Sequence, residues 1–268
     1  MSVPDLPAPG LLERGHVRVV QAGSLVRVTL DRPDARNAQT PSTWAALAAV
    51  GEWVQADPSI AAVLLAGAGT SFSAGLDRRM FTPEGIPGEV SLLALARAGE
   101  EELDASIASA QAAFTWWWDC DALTISLVQG HAIGAGFQLA LACDLLIASP
   151  DAQFSMRETS YGLVPDLAGT STLVRAVGYP RALEICATGR TVVADEGYRL
   201  GFVTRVDEDL ERAAAEILSA VSAAPAGAVR DLTGLLRGAQ ERSAEEQRSA
   251  ERRAQAARLR SLLAVLES

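Results

Sequence analysis

The feature that most constrains the fold is a repeated order of short apolar strand, small-residue loop, helix and strand. Residues 60–66 form a continuous apolar run, which is typical of a buried strand, and most of the residues at 67–75 are small. A second predicted strand at 124–128 leads through three glycines into a helical pattern at 137–143 and a further strand at 145–148. Strands that alternate with helices in this way predict an α/β fold.

The two ends of the chain differ from this pattern. Residues 17–20 and 25–30 are rich in β-formers and flank a turn, which predicts an N-terminal hairpin. We therefore predict a core over residues 1–200 and a C-terminal helical region over residues 201–268. The last part of that region carries leucines that share one helical face, at Leu259, Leu262, Leu263 and Leu266. A solvated helix is the simpler interpretation of the Glu- and Arg-rich part, and a helix that packs on a partner subunit is the alternative.

Composition excludes several function classes. The formal net charge is −10, with 23 basic and 33 acidic side chains, whereas a nucleic-acid binder needs the opposite balance. The three cysteines are widely spaced and form no CxxC, so we expect reduced, mostly buried thiols, no metal site and a cytoplasmic location. The most apolar stretch, residues 122–148, is interrupted by polar side chains, so we expect no membrane span.

Chemistry is most plausible at two glycine-containing junctions, residues 73–77 and 130–138. Small residues let a ligand approach the backbone, and the free N–H groups at a helix start favour negative charge. Two such N–H groups that converge on one oxygen would form an oxyanion hole. Either junction alone is weak evidence, because ordinary tight turns have the same composition. Neither matches GxGxxG, and the chain contains no GxxxxGK[ST] and no GxSxG.

Taken together, the two junctions resemble the crotonase superfamily, the family of enoyl-CoA hydratases and isomerases. The resemblance covers roughly residues 15–265. The segments that carry it, in chain order, are Asp31–Ala38, Phe72–Asp77, Gly130–Gln138, Ala142–Asp144, Ala152–Phe154, Glu158, Gly162–Asp166, Gly169–Thr170, Gly189, Ala194–Gly201 and Val203.

The resemblance implies a fold and a substrate. The fold is a crotonase-like spiral of repeated ββα units, with a C-terminal helical region that packs homotrimers or hexamers built as dimers of trimers. The substrate is an acyl group carried as a coenzyme A thioester in fatty acid metabolism, and no further cofactor is implied. The main-chain N–H groups of Leu76 and Ala135 would hold the enolate-like thioester oxygen. The residues that would contact substrate are Arg36, Ala38, Ala74, Asp77 and Gly134.

The candidate catalytic residues depart from the hydratase pattern. Hydratases of this family carry two catalytic glutamates; the second aligns with Glu158, but the first aligns with Gln138. An amide holds water but does not accept a proton near neutral pH. A second carboxylate, Asp166, stands where the family's dienoyl-CoA isomerases have an acidic residue. The resemblance therefore favours double-bond isomerisation through Glu158 over hydration.

Other interpretations stay open at this point. The enzyme could be a hydratase proper, an acyl-CoA hydrolase or decarboxylase that uses Asp166, or an acyl-CoA binder without turnover. Single residues also have plain structural alternatives. These are a surface position for Glu158, a helix cap near Ala168 for Asp166, backbone hydrogen bonds alone for Gln138, a structural role for His131, and core packing or an acyl-pocket wall for Trp116, Trp117 and Trp118.

Overall fold

The computed structural model describes residues 5–225 and 227–267. Within those ranges it contains nine strands, eleven α-helices and three short 3-10 helices. The strands are β1 (Val17–Ala22), β2 (Leu25–Leu30), β3 (Ala62–Gly67), β4 (Leu123–Val128), β5 (His131–Ile133), β6 (Leu145–Ala148), β7 (Gln153–Ser155), β8 (Val192–Val193) and β9 (Arg205–Val206). The helices are α1 (Pro9–Gly15), α2 (Pro41–Ala56), α3 (Leu92–Leu95), α4 (Glu100–Asp119), α5 (Ala135–Leu141), α6 (Gly169–Val177), α7 (Tyr179–Thr188), α8 (Ala194–Leu200), α9 (Leu210–Ser222), α10 (Ala228–Gly238) and α11 (Ala244–Leu266).

The strands form two sheets, and from β4 to β7 the chain alternates between them. The larger sheet has the order β1-β2-β3-β4-β6-β9, and the smaller has the order β5-β7-β8. The predicted hairpin β1–β2 is antiparallel, and every later pair in the larger sheet is parallel. Two consecutive ββα units, β4-β5-α5 and β6-β7-α6, each place one strand in each sheet. The α/β prediction is confirmed, and this repeat is the arrangement that the resemblance implied.

The central strands of the larger sheet, β3, β4 and β6, are buried on both faces, which explains the apolar run at 60–66. Side chains of β3 point alternately into two apolar clusters, Val63 and Leu65 into one, and Leu64 and Ala66 into the other. The first cluster lies under α2, α4 and α5, and the second lies under α9. A strand covered on both faces has no polar side to alternate with, so it reads as a continuous apolar stretch.

The C-terminal region is helical as predicted, apart from β9, which extends the larger sheet beyond residue 200. The division at residue 200 stays a prediction, and residues 1–4, 226 and 268 of the two predicted ranges lie outside the described part. On α11, the four leucines of the stripe are each more than half exposed. Across residues 5–225 and 227–267, no helix is long and apolar enough to cross a membrane, and no three metal-binding side chains cluster.

Candidate active site

The loop that follows β3 lies against the turn that follows β2. Asn37 joins them, because its side-chain amide donates to the carbonyl oxygens of Ala68 and Ser71, each at 2.8 Å. Asn37 has a left-handed φ of 53°, which asparagine tolerates better than most residues. Main-chain hydrogen bonds then pair segment 36–39 with segment 74–77. These segments contain four of the predicted substrate-binding residues, Arg36, Ala38, Ala74 and Asp77.

The second junction, from β4 through β5 into α5, lies directly on the first. Ser73 donates its N–H to the carbonyl oxygen of His131 at 2.8 Å and accepts from the N–H of Ile133 at 3.0 Å. Gly75 has a φ of 82°. A side-chain carbon built at Gly75 would lie 2.3 Å from the carbonyl oxygen of Ile133 and 3.4 Å from the nitrogen of Ala135. Only glycine fits there, and its absent side chain lets the two junctions meet.

Leu76 and Ala135 lie at this meeting point. Neither main-chain N–H donates to a main-chain carbonyl in the part of the chain that the structure describes. Gly134, the N-cap of α5, donates its own N–H to Ser155 at 2.7 Å, so Ala135 supplies the first unpaired N–H of the helix. Such a group lacks an intrahelical acceptor and lies where the helix favours negative charge. Convergence of the two N–H groups on one thioester oxygen stays a prediction.

Glu158 begins a 3-10 turn after β7 and places its carboxylate beside the start of α5. A side-chain carbon built at Gly134 would lie 3.3 Å from Glu158 Oε1. Oε1 accepts a hydrogen bond from Gln138 Nε2 at 2.7 Å, whereas Oε2 is buried and has no hydrogen-bond partner among the described residues. Glu158 is therefore not the surface carboxylate of the alternative interpretation.

The surroundings of Glu158 make it a stronger base than an ordinary glutamate. Burial raises its pKa, and the nearby charge of Asp166 raises it further. The hydrogen bond from Gln138 lowers the pKa and only partly offsets the burial. A raised pKa brings a carboxylate closer to the basicity that proton transfer near neutral pH requires.

Gln138 is 1% exposed and uses both ends of its amide. While Nε2 donates to Glu158, Oε1 accepts from the main-chain N–H groups of Leu167 at 2.9 Å and Gly169 at 3.3 Å. The alternative that Gln138 bonds only to backbone is therefore wrong. Because an amide does not take up a proton near neutral pH, this position supplies a fixed donor rather than a base.

Asp166 lies on the exposed loop before α6, which α4 anchors through Gln111. The side-chain nitrogen of Gln111 donates to the main-chain carbonyl of Asp166 at 2.6 Å. The alternative that Asp166 caps α6 is wrong, because the N-cap is Ala168, which has a left-handed φ of 64°, and no side chain caps the helix. Although the residue as a whole is exposed, desolvation of its carboxylate raises the pKa of Asp166. Asp166 is thus a second desolvated carboxylate, whose charge acts on Glu158.

The carboxylate of Asp77 is buried and forms ion pairs with two arginines, Arg32 and Arg79. Hydrogen bonds from Arg79 are the main reason that the pKa of Asp77 lies far below its usual range, and Arg32 adds a bond at 2.8 Å. Arg32 also donates to the carbonyl of Ala38 at 3.3 Å, which ties the two segments beside Leu76 together. Sequence reasoning missed the role of Arg32, although it belongs to the first segment of the resemblance. A direct contact of Asp77 with substrate stays a prediction.

Gln138 also borders a cavity of about 480 Å³ between α4, α6 and α10. Trp118 lines this cavity, whereas Trp116 and Trp117 stack in the core with ring centroids 3.9 Å apart. An acyl-wall role for Trp118 stays a prediction. His131 contacts a serine hydroxyl through Nδ1 at 3.2 Å, in keeping with a structural role. A larger cavity of about 570 Å³ lies under α9 on the other face of the sheet, and none of the predicted site residues lines it.

The chain is similar to a family of known proteins. The family model described as enoyl-CoA hydratase/isomerase matches residues 21–261. An (E)-benzylidenesuccinyl-CoA hydratase of Thauera aromatica is 35% identical over 204 residues, which cover 74% of this chain and 73% of that protein. A protein assigned as an enoyl-CoA hydratase in Mycobacterium bovis is 33% identical over 207 residues, which cover 74% and 73%.

Solved structures agree with the sequence matches. The crystal structure of a protein assigned as an enoyl-CoA hydratase from Thermobifida fusca YX, in complex with acetoacetyl-CoA, superposes with a TM-score of 0.89 at 39% identity, covering 96% of this chain and 100% of that one. The fold is that of the crotonase superfamily, whose members process acyl-CoA thioesters. Within that class, the chain belongs to the enoyl-CoA hydratase/isomerase family and is an enzyme of it.

Proposed function

We propose that this enzyme moves the double bond of an enoyl-CoA thioester, with Glu158 as the acid–base group. The observation that carries the proposal is the Gln138–Glu158 pair, in which one partner cannot ionise and the other is a buried carboxylate with a raised pKa. A 1,3-proton shift needs only one base, whereas the family's hydration uses two carboxylates at these positions.

The reaction proceeds in two proton transfers. Glu158 takes a proton from the α-carbon of a 3-enoyl thioester, and the C–H electron pair spreads onto the thioester oxygen. The N–H groups of Leu76 and Ala135 stabilise that oxygen, which is where the charge develops. Protonated Glu158 then returns the proton to the γ-carbon, which yields the conjugated 2-enoyl thioester with no net gain or loss of atoms.

Hydration is the second candidate, favoured by the charge of Asp166 close to Glu158 and by relatives that are named as hydratases. A panel of 3-enoyl-, 2-enoyl- and 3,5-dienoyl-CoA substrates, followed by absorbance and product mass, separates the two. Isomerisation leaves the mass unchanged, and hydration adds one water. Rapid hydration of a 2-enoyl-CoA without isomerisation of a 3-enoyl-CoA would overturn the first proposal in favour of the second.

Gln138→Glu is expected to raise hydration of a 2-enoyl-CoA, because it restores two carboxylates beside a substrate water. Two close carboxylates hold one proton between them, which leaves an acid beside a base. The oxygen that accepts from Leu167 and Gly169 is retained, so the loop keeps its anchor. Gln153→Glu, which adds the same charge at an exposed position of β7, is the matched control and leaves the hydration rate unchanged. Equal hydration rates in the two variants would contradict the prediction.

We further propose that the enzyme is a homotrimer or hexamer. We also propose that it is cytoplasmic, acts in fatty acid metabolism and binds coenzyme A near Arg36. The exposed leucine stripe of α11 supports the oligomer, because a single chain leaves that apolar face uncovered. Light scattering is expected to give the mass of three or six copies, and Leu263→Glu is expected to reduce it. A stable wild-type monomer at micromolar concentration would contradict this prediction.

A further inference from the structure

The orientation of the Gln138 amide is fixed by its neighbours. The main-chain N–H groups of Leu167 and Gly169 only donate, so the amide end that faces them is the oxygen. The NH₂ group is then the end that faces Glu158 Oε1, at 2.7 Å. Gly169 packs directly on this side chain, because a side-chain carbon built at Gly169 would lie 2.7 Å from Gln138 Cγ.

We propose that Gln138 is a positioning residue that keeps Oε1 of Glu158 as a permanent acceptor and leaves Oε2 as the single atom that exchanges protons with the substrate. An NH₂ group offers only hydrogens, and a protonated oxygen accepts them more weakly than an unprotonated one, so this bond favours the proton on Oε2. Oε2 is buried and makes no hydrogen bond within the described ranges, so it is the oxygen open to a proton. This proposal rests on the proposed isomerase function and deepens it.

The different roles of the two Glu158 oxygens constrain the path of the proton. The α-carbon proton passes to Oε2 as the enolate forms, and the same Oε2–H bond breaks as the γ-carbon gains the proton. Oε1 takes no part, so the carboxylate does not rotate between the two transfers. Both carbons must therefore lie within reach of one oxygen, on the same face of the acyl group.

The loop before α6 offers a control variant for Gln138. Two other titratable groups interact with the charge of Glu158, Asp166 on the loop before α6 and Cys186 on α7. The loop that carries Asp166 has two side-chain anchors, Gln138 and Gln111. Only Gln138 also contacts Glu158, so a variant of Gln111 loosens the loop without touching the carboxylate.

The test is a carboxyl ¹³C NMR titration of the whole protein labelled at glutamate, without substrate, with Glu158→Gln to identify the signal. In Gln138→Met the titration of Glu158 is expected to move to higher pH by about one pH unit, because the donor that stabilises the ionised form is lost. In Gln111→Met it is expected to stay in place or move to lower pH, because a looser loop weakens the effect of the Asp166 charge, which raises this pKa. No movement in Gln138→Met, or the same movement in Gln111→Met, would overturn the proposal.

A second variant covers the case in which Gln138→Met does not fold. Gln138→Glu keeps the acceptor for Leu167 and Gly169 but replaces the NH₂ donor with a second carboxyl group, so the pair is expected to lose its last proton at higher pH than Glu158 does in the wild type. An unchanged titration there would also overturn the proposal. Since the titration needs no turnover, a shifted signal in a protein without isomerase activity overturns the proposed function alone. Isomerase activity with an unshifted signal overturns the present proposal alone.

Discussion

Replacing Glu158 with alanine is expected to lower the rate of double-bond migration on a 3-enoyl-CoA by ~10²–10⁴-fold. The loss is large because Glu158 is the only group of the Gln138–Glu158 pair that ionises, and its Oε2 is already desolvated beside the start of α5. The appearance of the conjugated thioester, followed by absorbance, gives the rate. Gln138→Ala is expected to lower the rate less, because it removes a positioning contact and not the base.

Two comparison variants separate lost chemistry from lost structure. Glu158→Gln keeps the shape of the side chain but not the base, so its rate is expected to fall as far as that of the alanine variant. Glu184→Ala removes an exposed glutamate from α7, where it pairs with Arg190, and is expected to leave the rate unchanged. If Glu158→Ala kept full activity on both 3-enoyl- and 2-enoyl-CoA, the roles given to the site residues would be wrong.

Gly75→Ala is expected to lower turnover by ~10²–10³-fold, the size associated with loss of an oxyanion donor. The added carbon would lie 2.3 Å from the carbonyl oxygen of Ile133, so the two junctions must separate. That separation moves the N–H of Leu76 away from that of Ala135. Kinetics on a 3-enoyl-CoA measure the loss, and thermal unfolding reports the accompanying destabilisation.

The control for Gly75 is Gly23, in the turn between β1 and β2. Gly23 also has a left-handed φ, at 61°, but nothing lies within 4 Å of a side-chain carbon built there. Gly23→Ala therefore carries only the conformational strain, which costs about 1 kcal/mol. It is expected to leave turnover at the wild-type level. Equal turnover in the two alanine variants would show that the close contact at Gly75 has no part in catalysis.

Local pattern was sufficient to predict the elements that position the site. The predicted strands at 60–66 and 124–128 are buried on both faces as β3 and β4, and at 60–66 this burial is visible as a run of apolar residues. The two junctions could be predicted from their glycines. Close backbone approach and a left-handed φ each restrict the residue type at a single position, so the glycine itself indicates the geometry.

Contacts between distant segments were not predictable from pattern. The amide of Gln138 reaches Glu158 only after β6 and β7 have placed the 3-10 turn against α5, and nothing near either residue signals that pairing. The same holds for the ion pair of Arg32 with Asp77. At Asp166 the local pattern itself gave a wrong alternative. Aspartate is a favoured helix cap, but the chain enters α6 through Ala168 in a left-handed conformation, and no side chain caps the helix.

The contact between the two junctions has a consequence for folding. Leu76 and Ala135 belong to segments far apart in the chain, and the hydrogen bonds of Ser73 to His131 and Ile133 are what join them. A chain in which β5 has not yet docked therefore lacks the complete oxyanion hole that we propose, however well β1 to β4 have formed. A coenzyme A thioester that uses both N–H groups then binds the finished fold in preference to any partly folded form, and by mass action it raises the melting temperature as its concentration rises.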